Sequence, residues 1–405
     1  MLYRRKKEVQ LDEELFKNPG YEYRDAPFWA WNCKLNEKTL IRQIEVMKQM
    51  GMGGFHIHVR TGMDSPYLDD EFMGFVKTCL EKGKEEKMLT WLYDEDRWPS
   101  GTAGGKVTKE HPEYAAKSLL LTTHPYPKGA VEEKTSIAGR GKGGIRQGNG
   151  ILLAVYDIVL DQNGKLQQYA MIKEDQESEG IKWYAYLEHG IADPWFNDAP
   201  YVDTLNMKAI QRFIDITHKK YREIFGDEFG KWIPAIFTDE PQFNKKNTLN
   251  FAGEENDVFL PWTDDLEDTY RKIYQEELLP GIPELLWELP DGKISRLRYR
   301  YHNHVADRFA ESYCRQIGEW CRENGIALTG HLPGEGSLKS QTQVIGDAMR
   351  CYRYFQIPGI DILCDRHEYT TAKQTQSIVR QMGAEAMLSE LYGVTGWDCD
   401  FRTYK

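Results

Sequence analysis

Short apolar runs alternate with amphipathic stretches along most of the chain. Three such runs come first, at 26–32 (APFWAWN), 53–59 (GGFHIHV) and 88–96 (MLTWLYDED). Between the first two, Leu40, Ile44 and Met47 recur at the spacing of one helix face. Asn36 stands where an N-cap is expected, and Gly51 where the helix should end. This alternation is typical of parallel strands joined by crossover helices.

The alternation is interrupted after the third run. Four strand-like runs follow one another without helices, at 117–123, 150–160, 167–172 and 182–188. Consecutive strands separated by turn-rich segments favour an antiparallel sheet. We interpret 112–200 as a β-rich insertion, which is tolerated because loop-closure entropy grows slowly with length. It divides an α/β domain into a first part, 1–111, and a second part, 201–405.

The helix and strand rhythm resumes after the insertion. A long helix at 207–225 precedes the run WIPAIFTDEP, and a mostly helical excursion follows at about 245–293. Further helices alternate with runs at 326–332, 359–364 and 384–393. The pattern predicts seven parallel strands. It therefore indicates a (β/α)8 TIM barrel whose eighth strand is not readable at the C-terminal end.

Each of the seven predicted strands ends in polar or ionisable residues. In a barrel of parallel strands, the chemistry lies at these C-terminal ends. The residues concerned are Trp31 and Asn32, His56, His58 and Arg60, Tyr93, Asp94, Glu95 and Asp96, Asp239 and Glu240, His331 and Glu335, Asp365, Arg366 and His367, and Ser389 and Glu390. A purely structural barrel has no reason to repeat this pattern at every strand.

Two glutamates are the candidate catalytic residues. Glu240 ends the fourth strand and Glu390 lies on the seventh. Cleavage of an acetal requires one protonated carboxyl and a second carboxylate across the bond, and partial burial raises a carboxyl pKa toward neutrality. Asp239 is the weaker candidate because neighbours on a strand point opposite ways. Glu335 could replace either glutamate.

The other polar and aromatic strand-end residues predict a sugar site. An indole face can cover the apolar face of a pyranose, while polar side chains bond its hydroxyls. We expect Trp29 and Trp91 to be core residues. The predicted substrate-binding residues are Trp31, Asn32, His56, His58, Arg60, Tyr93, Asp94, Asp96, Trp98, Asp239, His331, Glu335, Arg366 and Trp397.

Several motifs together resemble the catalytic barrel of glycoside hydrolase family 106. They are DAPFWAWN, GGFHIHVRTG, WLYDEDRWPSGTAGGKV, YVDTLN, FTDEP, GHL and LSELYGVTGW, within about residues 20–110 and 200–400. The resemblance implies an α-L-rhamnosidase-type hydrolase of plant polysaccharides, with two glutamates, inversion and an associated calcium.

The TDEP motif is also similar to the broad retaining-glycosidase clan, although Asp239 stands where that clan has Asn. A carboxyl separation of about 5–5.5 Å would indicate retention, and one of about 6.5–9.5 Å inversion.

The amino-acid composition limits the classes of partner that the protein is expected to bind. The formal net charge of −11 argues against nucleic acid and anionic membranes, which require a basic face.

The seven scattered cysteines form no C-x-x-C pair, and the N-terminus lacks an apolar signal segment, so we expect a cytoplasmic protein with reduced thiols. No organic cofactor is expected, although DEDRWPSG at 94–101 could bind calcium through its carboxylates. The oligomeric state is not predicted.

Two alternatives remain open. The spacing of His56 and His58 puts both rings on one face of a strand, and with His331 they resemble the ligands of metal-dependent amidohydrolases. In that group, however, the H-x-H pair lies on the first strand and an aspartate ends the eighth. The second alternative is a carbohydrate-binding barrel without catalytic activity.

Overall fold

The computed structural model describes residues 10, 12–126, 146–363, 369–400 and 402. Its main sheet is curled, parallel and seven-stranded. In spatial order the strands are β1 (Phe28–Trp31), β2 (Gly54–Val59), β3 (Leu89–Tyr93), β8 (Ala235–Asp239), β10 (Ala327–His331), β11 (Ile357–Ile362) and β12 (Leu388–Leu391). The order follows the chain, as expected for successive strand–helix units.

One short helix precedes β1, and the other helices lie between strands along the chain. They are α1 (Glu13–Lys17), α2 (Glu37–Gln49), α3 (Asp70–Glu85), α4 (Met207–Phe213), α5 (Lys219–Phe225), α6 (Leu266–Tyr274), α7 (Arg296–Phe309), α8 (Gln316–Glu323), α9 (Leu338–Val344), α10 (Ala348–Tyr352) and α11 (Tyr369–Met382). Single π-helical segments, Ile214–His218 and Ala310–Arg315, join α4 to α5 and α7 to α8. The helix predicted over 207–225 and the helix that precedes the run at 326–332 are therefore continuous but locally widened.

The core lies between the sheet and the helices, as the periodicity predicts. In α2, the Asn36 side chain accepts a hydrogen bond from the Thr39 N–H at 3.2 Å, and Leu40 and Ile44 are buried. Gly51 follows with φ of +88°, a conformation that suits glycine. The central strands β2, β3, β8 and β10 are buried along their whole length. They consequently give the site a rigid base.

A second sheet is antiparallel and five-stranded. It contains β4 (Lys117–Thr122), β5 (Ile151–Leu160), β6 (Leu166–Ile172), β7 (Ile181–His189) and β9 (Val258–Trp262), in the order β6-β5-β7-β4-β9. The first four match the predicted insertion strands. β9 comes from the excursion that we expected to be mostly helical. Pro261 hides it in the sequence, but a proline is tolerated on an edge strand such as this one.

The parallel sheet has two ends in the described part of the chain. β1 and β12 are the terminal strands and do not pair with each other. The structure thus forms an open, curled sheet, and closure into an eight-stranded barrel stays a prediction. No described helix combines the length and the apolar character needed to cross a bilayer.

Candidate active site

The register of the parallel sheet brings four of the polar residues side by side. His331 on β10 lies opposite Asp239 on β8, and Asp361 on β11 lies opposite Glu390 on β12. These pairs stand at the C-terminal ends of their strands, where the sequence predicts the chemistry. The ends of four adjacent strands, β8, β10, β11 and β12, together with Glu240 immediately after β8, therefore build one polar cluster.

His331 is the central cation of this cluster. Its Nε2 donates a hydrogen bond to Glu390 Oε2 at 2.8 Å, and it lies 3.7 Å from Asp239 Oδ1. Burial disfavours a charged imidazole, but the hydrogen bond to Glu390 and the charges of Asp239 and Glu390 outweigh it. The pKa of His331 is consequently raised well above its ordinary value, and the imidazole is protonated at neutral pH.

Glu240 joins the cluster through an unusual backbone conformation. Its φ is +46°, and its N–H donates to the carbonyl of His331 at 3.1 Å. The left-handed residue breaks the strand alternation, so Asp239 and Glu240 both lie beside His331. The expectation that only one of these two acids could face the site is wrong for this reason.

The surroundings of Glu240 favour its protonated form. Burial is the largest cause, and the charges of Asp239, Asp361 and Glu390 add to it, whereas His331 opposes them. Together they raise the pKa of Glu240 to about 7. A carboxyl group with this pKa can donate a proton near neutrality.

Glu335 lies behind Asp361. Both of its carboxylate oxygens accept the Asp361 N–H, each at 3.0 Å. Burial raises the pKa of Glu335 to about 8, against the opposing charge of His331. Because its oxygens face a backbone N–H, Glu335 braces β11, although it belongs to the same electrostatic cluster.

His56 and His58 form an aromatic wall with their neighbours. Both rings contact Phe28, with centroids 5.1 and 4.5 Å away, and therefore lie on the same face of β2. Phe237 packs edge-on against both Phe28 and His331, which links this wall to the cluster. Burial lowers the pKa of His56 to about 4 and that of His58 to about 3, so both are neutral.

The neutral state of His56 defines its hydrogen-bonding capacity. Its Nδ1 lies 3.0 Å from the Ala26 carbonyl, which can only accept, so Nδ1 carries the hydrogen. Nε2 is then an acceptor. It has no hydrogen-bond partner among the described residues, and the same holds for His58 Nε2. His56 Nε2 could therefore accept a hydrogen bond from a ligand hydroxyl, and His58 Nε2 could donate or accept one.

Three other predicted residues lie at the ends of β1, β2 and β3. Tyr93 donates a 2.6 Å hydrogen bond to Asp239 Oδ2. The charge of Arg60 acts on both His58 and Asp239, and its N–H bonds the Trp31 carbonyl at 3.0 Å. Asn32 is exposed immediately after β1. Tyr93 positions Asp239, whereas Arg60 and Asn32 are more accessible.

Several predicted substrate-binding residues do not join the cluster. Trp31 is 1% exposed and packs edge-on against Phe72 and Trp29 in the core under the helices. Trp397 is 108% exposed in the structure, so it contacts no cleft. Trp98 packs on Trp195, and its carbonyl accepts the Trp195 indole N–H. Arg366 lies outside the described residues.

The carboxylates of Asp94, Glu95 and Asp96, which follow β3, accept hydrogen bonds from other groups of the protein. Asp94 is fully buried and accepts the Ser100 hydroxyl at 2.6 Å. Asp96 accepts hydrogen bonds from Arg97 and Asn197. Since Glu95 likewise accepts hydrogen bonds from the loop that follows it, these carboxylates support the loop instead of facing a ligand.

One group among the described residues could hold a metal ion. Single ligand atoms of Glu240, His331 and Asp361 lie within 4.8 Å of one another. Two carboxylates and an imidazole suit a transition metal, whereas calcium prefers an all-oxygen set. The residues present do not fit calcium here, and no step of the proposed mechanism involves it.

Asp361 is a member of the cluster that the sequence analysis did not select. The run GIDILC was expected to end in Asp365, Arg366 and His367, but β11 ends at Ile362 and 364–368 lie outside the described residues. The sequence did contain a signal for Asp361. A carboxylate flanked by isoleucines in a buried strand requires polar partners.

Comparisons with known proteins show that the fold of this chain is similar to that of a solved structure. No protein-family model and no curated sequence matches the chain. A rhamnosidase from Novosphingobium sp. PP1Y superposes with a TM-score of 0.56 at 12% identity, over 93% of this chain and 52% of that one. A beta-galactosidase from the Antarctic haloarchaeon Halorubrum lacusprofundi gives a TM-score of 0.38 at 9% identity, over 84% and 40%. The chain thus spans about half the length of the rhamnosidase whose fold it shares.

Proposed function

We propose that the protein is a glycoside hydrolase in which Glu240 is the general acid and Glu390 the nucleophile or base. The observation that carries the proposal is the contrast between the two glutamates around His331. Burial and acidic neighbours raise the pKa of Glu240 to about 7, so its carboxyl can donate a proton near neutrality. Glu390 accepts a 2.8 Å hydrogen bond from the His331 imidazolium, which fixes its side chain beside the site. Paired carboxyl groups in opposite environments are what acid–base hydrolysis of an acetal requires.

In the proposed reaction, Glu240 transfers its proton to the glycosidic oxygen as the bond to the anomeric carbon breaks. If Glu390 is the nucleophile, its carboxylate bonds to that carbon, and water later displaces it while Glu240 accepts the water proton. If Glu390 is the base, it takes the proton from water as the water attacks. In both cases one water is consumed, and the sugar and the leaving alcohol are released.

The substrate that we propose is an α-L-rhamnoside or a related neutral glycoside. The polar strand ends suit hydroxyl groups, and so do the Nε2 atoms of the neutral His56 and His58, which have no hydrogen-bond partner among the described residues. The fold shared with a rhamnosidase supports the same substrate class. The acidic cluster would repel a uronate. A screen of chromogenic aryl glycosides, α-L-rhamnosides included, tests this, and the absence of turnover on every member would favour a non-catalytic sugar-binding role.

The activity should fall as the pH rises above about 7. A general acid works only while protonated, and the pKa of Glu240 is raised to about 7. Above that value kcat/KM should decrease about tenfold per pH unit. The measurement is kcat/KM on one aryl glycoside from about pH 5 to about pH 9. An activity that kept rising through this range would contradict the role of Glu240 as acid.

A metal-dependent hydrolase is the second candidate. The specific observation is the group of Glu240, His331 and Asp361, in which the buried Nδ1 of His331 has no hydrogen-bond partner among the described residues. His56 and His58, which suggested this alternative in the sequence, do not belong to that group.

Chelation separates the two candidates. The two-glutamate mechanism predicts that dialysis against EDTA leaves kcat within about twofold of the untreated enzyme, because no step needs a metal. Loss of activity on chelation, with recovery on adding zinc or manganese, would favour the metal-dependent hydrolase. The paired control is the same treatment followed by magnesium, which does not prefer an imidazole ligand.

A further inference from the structure

The buried carboxylate of Glu95 organises the loop that follows β3. It accepts six hydrogen bonds at 2.6 to 3.0 Å. The donors are the backbone N–H groups of Asp96, Gly101, Thr102, Ala103 and Gly104 and the hydroxyl of Thr102. Such convergence of N–H groups on one anion fixes the loop backbone, because each bond constrains a different peptide.

The backbone of this loop is shaped for the carboxylate. Gly101, Ala103 and Gly104 have φ values of +129°, +51° and +65°, which turn successive N–H groups inward. Only charge-assisted bonds of this number offset the burial of Glu95, which is fully enclosed. The loop conformation therefore depends on Glu95.

Ser100 connects this loop to the end of β8. Its N–H donates to the Asp239 carbonyl at 2.7 Å, and its Oγ accepts the Asp239 N–H at 2.8 Å. The same hydroxyl donates to Asp94 Oδ1 at 2.6 Å. Ser100 thus binds both backbone polar groups of Asp239, in the manner of an additional strand residue.

Asp239, whose backbone N–H and carbonyl both bond to Ser100, immediately precedes Glu240. Glu240 leaves the strand in the left-handed conformation, and its own N–H is held by the His331 carbonyl. A non-glycine residue keeps such a conformation only where its surroundings impose it. Ser100 on one side and His331 on the other supply these constraints.

We propose that Glu95 and Ser100 are positioning residues for Glu240. Glu95 fixes the loop, Ser100 transmits its position to the peptide of Asp239, and Glu240 is thereby held beside His331 and Asp361. The role in catalysis rests on the proposed function. The placement of the Glu240 carboxyl does not, so the two can be tested separately.

The test compares Ser100→Ala and Glu95→Gln with a matched control. Ser100→Ala removes the acceptor of the Asp239 N–H and the donor to Asp94 Oδ1, and it leaves the bond from the Ser100 N–H to the Asp239 carbonyl in place. Glu95→Gln places an NH2 group against N–H donors and could prevent folding, in which case Ser100→Ala carries the test. The control is Ser312→Ala, because Ser312 is also fully buried and its hydroxyl has no hydrogen-bond partner among the described residues.

Two quantities are measured. The first is kcat and KM on an aryl glycoside, where Ser100→Ala should lower kcat about 10- to 100-fold and change KM less than about twofold. The second is the titration of Glu240 by carbon-13 NMR of protein labelled at glutamate carboxyls, assigned by its loss in Glu240→Gln. In Ser100→Ala this titration should move by about one pH unit toward the ordinary value, because the carboxyl leaves its acidic neighbours.

The outcomes are distinguishable. If the Glu240 titration moves in Ser100→Ala but not in Ser312→Ala, the inference stands even if the wild type hydrolyses no glycoside, and only the proposed function fails. If Ser100→Ala lowers thermal stability while the Glu240 titration and kcat stay at their wild-type values, Ser100 is merely structural and the inference is overturned.

Discussion

Replacing Glu240 by Gln should lower kcat by about 10²–10⁴-fold on aryl glycosides with poor leaving groups. The amide keeps the size and the polarity of the side chain but has no acidic proton to transfer. An activated leaving group needs little protonation, so the loss should be much smaller on dinitrophenyl glycosides. KM should change little, because the interaction removed belongs to the transition state. Steady-state kinetics on a series of leaving groups measures this.

The control for this variant is Glu323→Gln at the exposed end of α8. The Glu240→Gln protein should also be at least as stable as the wild type above pH 7. The pKa of Glu240 is raised from 4.5 to about 7 in the folded state, so the folded state loses stability as the pH rises through this interval. A neutral amide avoids that loss. A wild-type kcat on poor leaving groups would rule out Glu240 as the acid.

Replacing Glu390 by Ala should lower kcat by at least about 10³-fold on every leaving group, activated ones included. The carboxylate is needed at the anomeric carbon whatever the departing group, so a better leaving group cannot compensate. The change also removes the acceptor of the His331 imidazolium, whose pKa should fall. This uniform loss distinguishes Glu390 from Glu240, whose loss depends on the leaving group.

Azide provides the test of position for Glu390. A small anion can enter the space left by the carboxylate and attack the anomeric carbon, so azide should restore turnover of an activated substrate and yield a glycosyl azide. Glu323→Ala, treated in parallel, should show wild-type turnover and no azide product. Failure of azide to restore any turnover, together with activity lost only on poor leaving groups, would reverse the roles of the two glutamates.

The sequence could predict that the main site residues lie close together, because the C-terminal ends of parallel strands meet at one edge of a sheet. Glu240, His331 and Glu390 end three different strands, and alignment of those ends is a general property of parallel sheets. The sequence could not reveal that Glu240 departs from the strand alternation, because the contacts beside its left-handed backbone come from Ser100 in the loop after β3 and from His331 on β10. Tertiary contacts decide such details.

Some residues were wrongly assigned because the sequence did not show on which face of a strand a residue lies, where a strand ends, or that a strand was present. The run FWAW offers two faces, and Trp31 points to the helices while Phe28 and Ala30 take the other face. Asp361 was overlooked because the apolar run was expected to continue to Cys364. Pro261 concealed β9, whose edge position became known only from its pairing with β4. Local composition decides none of the three: the face on which Trp31 lies, the end of β11 or the pairing of β9 with β4.

The most direct test of the central claim is a crystal structure of the Glu240→Gln protein with an intact aryl α-L-rhamnoside bound. The account predicts that the glycosidic oxygen lies about 2.6–3.2 Å from the side chain at position 240. Glu390 should face the opposite side of the anomeric carbon, with a carboxyl separation that selects retention or inversion. A glycoside bound away from His331, or with Glu390 unable to reach the anomeric carbon or its attacking water, would contradict the account.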